Sequence, residues 1–301
     1  MALDTVKLMR RRIFAAATES TPGTAGTINA GAASFNAYDL KIVGDVPFNE
    51  RQRQGGFGNY VGTPGAQKGT LSFWTELTGV GSGAGNHATL LLGCGMTAAA
   101  NTYSLDATAN QTLTLAGYFD GRLKKLTGAM GNVVFTFKNG EPCKAEWTFS
   151  GVWNAPIDSA LVSPTYPTIV PPRSVSTAVL IGGTQYYFPE LKLDIGNNVI
   201  MREDISATGG YRCAWITNRL PKVTVAPEAL ALATKDWYAA YLASTQYAMS
   251  VVLGSVAGNI ATITAAALQQ DKMPGVDDRN GVLVDGLSFE VLNDSLSIAF
   301  T

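Results

Sequence analysis

Apolar and polar residues alternate with a period of two along most of the chain, which is the pattern of strands that bury one face of a sheet. Residues 70–77, for example, place Leu71, Phe73 and Thr75 on one face. The same alternation predicts strands at residues 112–119, 122–127, 132–138, 144–150, 190–195, 199–204, 211–217, 222–225, 248–253, 259–265, 282–292 and 295–300. A mainly β fold is therefore expected.

Hairpin turns are predicted where a residue pair that tolerates positive φ stands between two alternating segments. Asp120-Gly121 and Asn139-Gly140 are such pairs, and they connect neighbouring strands into an antiparallel meander. A proline-rich stretch follows at residues 156–172. Because proline fixes φ and removes the backbone donor, this stretch predicts an extended connector over the surface.

Two short helices are predicted between strands, at residues 86–92 and 234–244. Thr234 is expected to cap the second helix, and Asp236 lies in its first turn, where the helix dipole favours negative charge. The spacing of apolar residues in this helix predicts a buried stripe made of two i, i+4 pairs, Trp237–Tyr241 and Tyr238–Leu242.

The two halves of the chain match each other in the same order. The matches pair Leu40-Lys41-Ile42 with Leu191-Lys192-Leu193, Arg51 with Arg202, Leu71 and Phe73 with Val223 and Val225, Thr127 and Ala129 with Thr264 and Ala266, and Trp147 and Phe149 with Leu287 and Phe289. The first half carries an additional stretch at residues 95–111. Both halves run strand, long loop, strand, helix and hairpin, which favours a duplication over chance alternation.

These matches predict the division of the chain. We expect an N-terminal arm at residues 1–36, a first domain at 37–155, a proline-rich connector at 156–184 and a second domain at 185–301. Each domain contains a long polar loop with glycines, at residues 51–68 and 202–219. Loops of this length are uncommon in compact units and are usually functional. We expect each to extend a hairpin beyond the core.

Composition narrows the class of protein. The 301 residues hold 46% apolar and 15% charged side chains, which is enough buriable surface for a large core and excludes wholesale disorder. The 22 basic and 23 acidic residues nearly cancel, which argues against a broad basic face for nucleic acid. The three cysteines, Cys94, Cys143 and Cys213, form no C-x-x-C pair, so neither a disulfide framework nor a zinc knuckle is expected. No apolar segment reaches the length of a signal-peptide core or a membrane span, and a soluble protein made in a cytoplasm is expected.

The sequence predicts no catalytic, cofactor-binding or metal-binding residues. His87 is the single histidine, and we interpret it as a surface or capping residue. Residues 79–85 are glycine-rich but lack the G-K-[ST] ending of a phosphate loop, which favours a flexible connector. Residues 277–281 lack the ligand spacing of a calcium loop, which favours a hairpin turn. We therefore expect a protein that is not an enzyme.

Several segments are similar to the tail tube (major tail) proteins of long-tailed bacteriophages, particularly the duplicated type of Mu-like siphophages. They are R-R-I-F at residues 11–14, E-S-T-P-G-T at 19–24, D-G-R-L-K-K-L-T-G-A-M-G-N-V-V-F-T-F at 120–137, W-T-F-S-G at 147–151, P-T-Y-P-T at 164–168 and L-D-I-G-N-N-V-I-M-R-E-D at 193–204. The similarity spans nearly the whole chain, and its motifs are structural rather than catalytic.

The resemblance implies two tandem tail-tube-like repeats, each a β-sandwich or half-barrel with a short helix, that contribute to a β-barrel running around a ring of subunits. Single-copy members form hexameric rings, so a duplicated chain implies homotrimeric rings stacked into a tube. The implied partners are other copies of the chain, tail-tip and tail-terminator proteins, and the tape measure protein and then double-stranded DNA, which pass through the lumen without sequence-specific binding. The implied location is the virion tail, assembled in the bacterial host cytoplasm. No cofactor and no membrane are implied.

A closed barrel also removes the edge strands at which other chains would pair, and a near-neutral wall lets a polyanion slide. The arm and the two long loops are the candidate contacts between subunits or successive rings, through Arg11, Arg12, Arg51, Arg53, Phe57, Tyr60, Arg202, Tyr211 and Arg219. Two alternatives stay open. A β-sandwich module on the virion that binds carbohydrate or a host surface would present a discrete aromatic platform, and an unrecognised hydrolase would need a nucleophile and a base.

Overall fold

The computed structural model describes residues 6–81 and 83–301, and these fold into a mainly β protein, as predicted. The start of the predicted arm and Ser82 of the glycine-rich connector lie outside these residues. The strands of the first half are β1 (Arg12–Thr18), β2 (Tyr38–Asp45), β3 (Phe48–Gln52), β4 (Asn59–Pro64), β5 (Lys68–Glu76), β6 (Met96–Ala99), β7 (Thr102–Leu105), β8 (Leu113–Phe119), β9 (Arg122–Lys138) and β10 (Lys144–Asp158).

The strands of the second half are β11 (Ala178–Ile181), β12 (Thr184–Gln185), β13 (Glu190–Asp194), β14 (Asn197–Glu203), β15 (Tyr211–Arg219), β16 (Lys222–Val225), β17 (Gln246–Leu253), β18 (Ala261–Gln270), β19 (Gly275–Arg279), β20 (Val282–Val291) and β21 (Leu296–Phe300). The helices are α1 (His87–Gly93) and α2 (Trp237–Leu242), with a short 3₁₀ turn at Gly31–Ala33. In the described residues no helix is long and apolar enough to span a membrane.

Three boundaries differ from the prediction. The strands expected at residues 122–127 and 132–138 are one strand, β9, because residues 128–131 are buried on both faces and so interrupt the alternation without ending the strand. Strand β10 continues to Asp158, and β11 begins at Ala178, inside the segment predicted as a connector. Strand β1 lies inside the predicted arm, since Phe14, Ala15 and Ala16 are buried where it pairs with β8.

Individual residues determine where the hairpin turns lie and where the second helix begins. Asp120 and Gly121 both have positive φ and form the expected two-residue turn, whereas after β9 only Gly140 does and the connection to β10 is longer. Helix α2 begins at Trp237, and its cap is Asp236, whose carboxylate accepts a bond from the Ala239 N–H at 2.8 Å. The prediction of Thr234 as the cap is therefore wrong.

The stripe predicted on α2 is only partly present, because the helix is too short to bury its last turn. Trp237 is buried, Tyr238 and Tyr241 are half-buried, and Leu242 is exposed. Trp237 packs its ring 5.9 Å from that of Phe289, so the helix is held to the sheet mainly by one large side chain.

The strand order is the same in the two halves. In the first half the antiparallel pairing runs β2–β5–β10–β9–β8–β1, with the β3–β4 hairpin inserted between β2 and β5. In the second half it runs β13–β16–β20–β18–β17–β11, with the β14–β15 hairpin inserted between β13 and β16. Strand β6 pairs with β7, β7 pairs with β21, and β19 pairs with β20.

Strand β9 joins the halves into one continuous row of strands. Its last residues pair with β10 on one edge and with β13 on the other, where Glu190 lies opposite Lys138, Leu193 opposite Phe135 and Asp194 opposite Val134. The row is β2–β5–β10–β9–β13–β16–β20–β19. Within the described residues it does not close into a barrel, and it ends at β2 and β19.

One apolar core covers a single face of this row. Alternate side chains from each half enter it, among them Leu71, Phe73, Phe135, Trp147, Phe149, Leu193, Val223 and Phe289. Full burial of each large apolar side chain contributes about 1.5–3 kcal/mol to the stability of the fold. Both helices pack on the same face. Within the described residues the opposite face is mostly exposed, although β14 and β15 contact β9 and β10.

Candidate assembly surfaces

The uncovered face of the row, which we call the open face, is polar and electrically balanced. Its strand residues include equal numbers of cations and anions: Lys41, Lys68, Lys138, Lys144, Lys192, Lys222 and Arg279 against Asp45, Glu76, Glu146, Glu190, Asp194, Asp277 and Glu290. Two ion pairs join strand residues of this face, Lys68–Asp45 at 3.1 Å and Lys144–Glu146 at 2.6 Å, while Lys138, Lys222 and Arg279 pair with acidic residues outside its strands. Such a face is hydrophilic and presents little net charge to a polyelectrolyte.

The two ends of the row are free sheet edges. Strand β2 pairs only with β5, and beside its free edge lies a groove of about 350 Å³ that Leu40, Ile42 and Phe119 help to line. Strand β19 pairs only with β20, and the side chain of Val276 in it is 60% exposed. Unpaired strand edges are templates for pairing with another chain.

The β3–β4 hairpin projects from the core, as predicted for residues 51–68. Every residue of β3 is exposed, and so are those of β4 except Gly62. Arg51 lies opposite Tyr60, with its guanidinium 5.9 Å from the ring centroid, and Arg53 and Phe57 lie at the tip, where Phe57 is fully exposed. A two-stranded hairpin without a packed face is marginal in water, so this one is suited to contact a partner.

The β14–β15 hairpin, in contrast, packs against the first half of its own chain. Cys213 and Ala214 are fully buried, and a Cβ on Gly128 of β9 would lie 2.7 Å from Cys213 Cβ. Tyr211 is half-buried opposite Glu203, and Arg202 stacks over Trp215 at 5.1 Å.

Arg219 serves this internal contact rather than a free surface. Its side chain is only 8% exposed, and it donates to Asn197 Oδ1 and to the Gly95 carbonyl, both at 2.8 Å. Asn197 in turn donates to the carbonyls of Cys94 and Gly131. Because Arg219 bridges the halves of one chain, it is not among the proposed contacts between chains.

The N-terminal arm contacts the β8–β9 turn through Leu8 and Arg11. Arg11 Nη1 lies 2.9 Å from Asp120 Oδ1, and the Leu8 N–H donates to Asp120 Oδ2 at 2.9 Å. Arg12 belongs to β1 and lies opposite Phe119. The structure therefore brings Arg11 and Arg12 near the β2 edge, apart from the two hairpins.

The buried polar groups are structural. His87 is buried, so the prediction of a surface or capping residue is wrong; its Nε2 lies 3.2 Å from Thr75 Oγ1, which accepts from Trp147 Nε1 at 2.9 Å. Burial lowers the pKa of His87 to about 4 and raises the pKa of the Cys94 and Cys143 thiols. Across residues 6–81 and 83–301, no three His, Cys, Asp or Glu side chains cluster as metal ligands.

The glycine-rich connector and the predicted turn at residues 277–281 are more ordered than expected. Val80 and Gly83 exchange backbone hydrogen bonds at 2.8 and 3.1 Å. The turn is confined to Asn280 and Gly281, both with positive φ, and the residues before it form strand β19.

The edge residues of β19 were missed by sequence reasoning, because acidic residues are poor strand formers. Strand β19 could have been predicted from Asn280-Gly281, because this pair is typical of a two-residue turn with a strand on each side.

The family model described as phage tail tube protein matches residues 9–301. No curated protein matches the chain.

Proposed function

Because this chain belongs to the phage tail tube protein family, which makes it a structural component of the virion tail, we propose that three copies close into one ring of the tube. The rings stack, and the tube is the conduit through which the phage DNA leaves. The observation that carries the proposal is the row of eight strands, which has a free edge at each end and one uncovered polar face. Three such rows joined edge to edge would close a barrel of twenty-four strands.

Equal strand order in the two halves supports a duplicated chain. Leu71 lies opposite Phe149 across β5 and β10, and their sequence matches Val223 and Phe289 lie opposite each other across β16 and β20. Both halves also place a hairpin between the first two strands of the row and a helix after the second. A trimer of duplicated chains then has six equivalent units, in agreement with hexameric rings of single-copy members.

We place the open face toward the lumen. Both helices and the core lie on the other face, so they form the outer layer of the tube wall. Duplex DNA carries about one negative charge per 1.7 Å, and a basic wall would hold it through many phosphate contacts. The balance of cations and anions on the open face avoids such retention, for DNA and for a tape measure protein that precedes it.

We place the β3–β4 hairpin at the boundary between chains, together with the arm near the β2 edge. The β14–β15 hairpin covers β9 and β10 of the preceding unit within the chain. In a ring, the β3–β4 hairpin would cover the corresponding strands of the neighbouring chain. Tail-tip and terminator proteins would then meet the same surfaces at the two ends of the tube, after assembly in the bacterial cytoplasm.

The test is cryo-electron microscopy of the polymer formed by the purified chain. We expect hollow tubes with three chains per ring and a pseudo-sixfold cross-section. Six chains per ring would contradict the trimer, and a chain that stays monomeric at high concentration with tube-end proteins present would favour a β-sandwich binding module instead.

A further inference from the structure

We infer that β19 of one copy pairs antiparallel with β2 of the next, in the register that places Asp277 opposite Lys41 and Val276 opposite Ile42. The inference rests on the proposed ring and specifies its seam, meaning the strand junction between chains. Its source is the junction that already exists inside the chain, between β9 and β13.

The internal junction supplies the register. There, Lys192 of β13 lies opposite Thr136 of β9, and Leu193 lies opposite Phe135. Lys192 and Leu193 match Lys41 and Ile42 of β2, and the strand neighbours agree: Leu193 lies opposite Val223 as Ile42 lies opposite Leu71. Strand β2 therefore holds the place in the first unit that β13 holds in the second.

Strand β19 holds the place of the end of β9. Strand β19 pairs with β20 as the end of β9 pairs with β10, and β20 is the counterpart of β10. Gly286 of β20 lies opposite Gly275, and Glu146 of β10, which matches Gly286, lies opposite Val134. It follows that Val276 corresponds to Phe135, and Asp277 to Thr136. The edge of β9 that contacts β13 is thus the edge that β19 leaves unpaired.

The side chains that this register brings together are complementary. Lys41 and Asp277 are both exposed and both on the open face, so their charges would meet directly across the seam. Val276 and Ile42 lie on the core face, and the exposed Val276 side chain would enter the groove beside Leu40 and Ile42. A slip by one residue would instead place Asp277 opposite Leu40 or Ile42, whose side chains lie on the core face.

The flanking charges are compatible with this pairing. Arg279 is bound to Glu228 at 3.1 Å and to the Ala226 carbonyl, so it remains engaged in its own chain. Asp39 has positive φ and accepts from Trp74 Nε1 at 2.9 Å, which makes a bulge in β2. The seam therefore depends on the pairs formed by Lys41 and Ile42.

The first test is a disulfide between chains. Tubes of the double variant Lys41→Cys/Asp277→Cys are oxidised and run on a non-reducing denaturing gel; the native cysteines are buried and stay in place. Opposite residues in antiparallel strands have Cβ atoms about 4.5–5.5 Å apart, close enough for a disulfide with small adjustment. The control is Lys41→Cys/Asp278→Cys, whose side chains would point to opposite faces.

We expect covalent dimers and trimers, and no larger species, from the first variant, and monomers from the control. A ladder that reaches six chains would support the seam and contradict the trimeric ring. Tubes that form without the 41–277 disulfide, or with the control disulfide instead, would overturn the seam and leave the tube function standing.

The second test does not depend on cysteine geometry. Lys41→Glu and Asp277→Lys are each expected to stop tube formation while circular dichroism shows a folded subunit, because like charges then meet at the seam. The combined variant restores the opposite charges and should form tubes again. If the combined variant assembles no better than either single variant, the register is wrong.

Discussion

At the scale of single residues, Glu19 is a buried side chain that needs hydrogen-bond donors around its carboxylate. Its carboxylate forms no ion pair with a described residue and accepts four hydrogen bonds of 2.8 Å, from the peptide N–H groups of Gly23 and Gly128 and the hydroxyls of Thr112 and Thr114. The side chain thereby holds the N-terminal loop against β8 and β9, close to the junction of the two halves.

Replacing Glu19 by Gln should destabilise the subunit by about 1–3 kcal/mol, measured by urea unfolding. Whichever way the amide is turned, its NH₂ faces one of the two peptide N–H groups, and that donor loses its acceptor. Glu146→Gln is the matched control, because Glu146 is on the open face and its loss should cost less than about 1 kcal/mol. Equal effects of the two substitutions would contradict the role of Glu19.

His87 should make the subunit less stable in mild acid. The folded-state pKa of about 4 lies below the ordinary 6.5, so between these values the unfolded chain binds more protons and the free energy of unfolding falls as pH decreases. Its contribution is fully present above pH 6.5 and about 2 kcal/mol smaller at pH 5. His87→Gln should lack this component; an identical pH profile for both proteins would exclude it.

Sequence reasoning identified the Glu19 segment as part of a motif but not its role, because its donors are up to 109 positions away. His87 was misplaced for the same reason. Its burial comes from Thr75 and Trp147 on two strands that a local pattern does not bring together.

At the scale of elements, the two hairpins differ in what holds them. Replacing residues 49–63 by an Asn-Gly turn is feasible because Phe48 and Pro64 already lie opposite each other. We expect the free energy of unfolding to change by less than about 1 kcal/mol, since the removed residues other than Gly62 are exposed, while tube formation is lost. Unimpaired tubes, seen by negative stain, would contradict the proposed contact.

For the β14–β15 hairpin, which packs within its own chain, the test is Arg219→Leu, and the expected effect is a loss of stability. It leaves the Gly95 carbonyl and Asn197 without their donor and should destabilise the isolated subunit by about 2–4 kcal/mol. A variant as stable as the native subunit would mean that Arg219 does not hold the β14–β15 hairpin in place.

Most strands followed from alternation because one face of each is buried. Several exceptions have physical causes: residues 128–131 of β9 and the end of β10 do not alternate, β3 and β4 are exposed on both faces, and β19 is rich in acidic residues. The sequence predicted a hairpin beyond the core but not which of the two hairpins is free, since that depends on contacts between the halves.

At the scale of the whole molecule, the balance of charges on the open face should decide how DNA behaves in the tube. Native tubes assembled with a short fluorescent duplex should release it with little dependence on salt. The triple variant Glu146→Gln/Glu190→Gln/Glu290→Gln leaves the cations of that face in excess, and should retain the duplex with affinity that falls steeply as salt rises. Equal retention by both tubes would contradict the placement of this face toward the lumen.

Sequence matches predicted the order of the two units but not the junction between them. That junction pairs β9 with β13. Strand β9 was predicted as two separate strands, and a proline-rich segment lies between it and β13 in the sequence. The division into domains at residues 37–155 and 185–301 remains a prediction.

The β9–β13 junction also has a kinetic consequence. In the proposed ring of six units, half of the seams are present as soon as each polypeptide has folded, so only three seams remain to be formed between molecules. The two kinds of seam can also differ in sequence. The β9–β13 seam joins strands of one polypeptide, so neutral or imperfectly matched residues suffice there. The seam between chains forms by diffusion and is favoured by opposite charges at its edges.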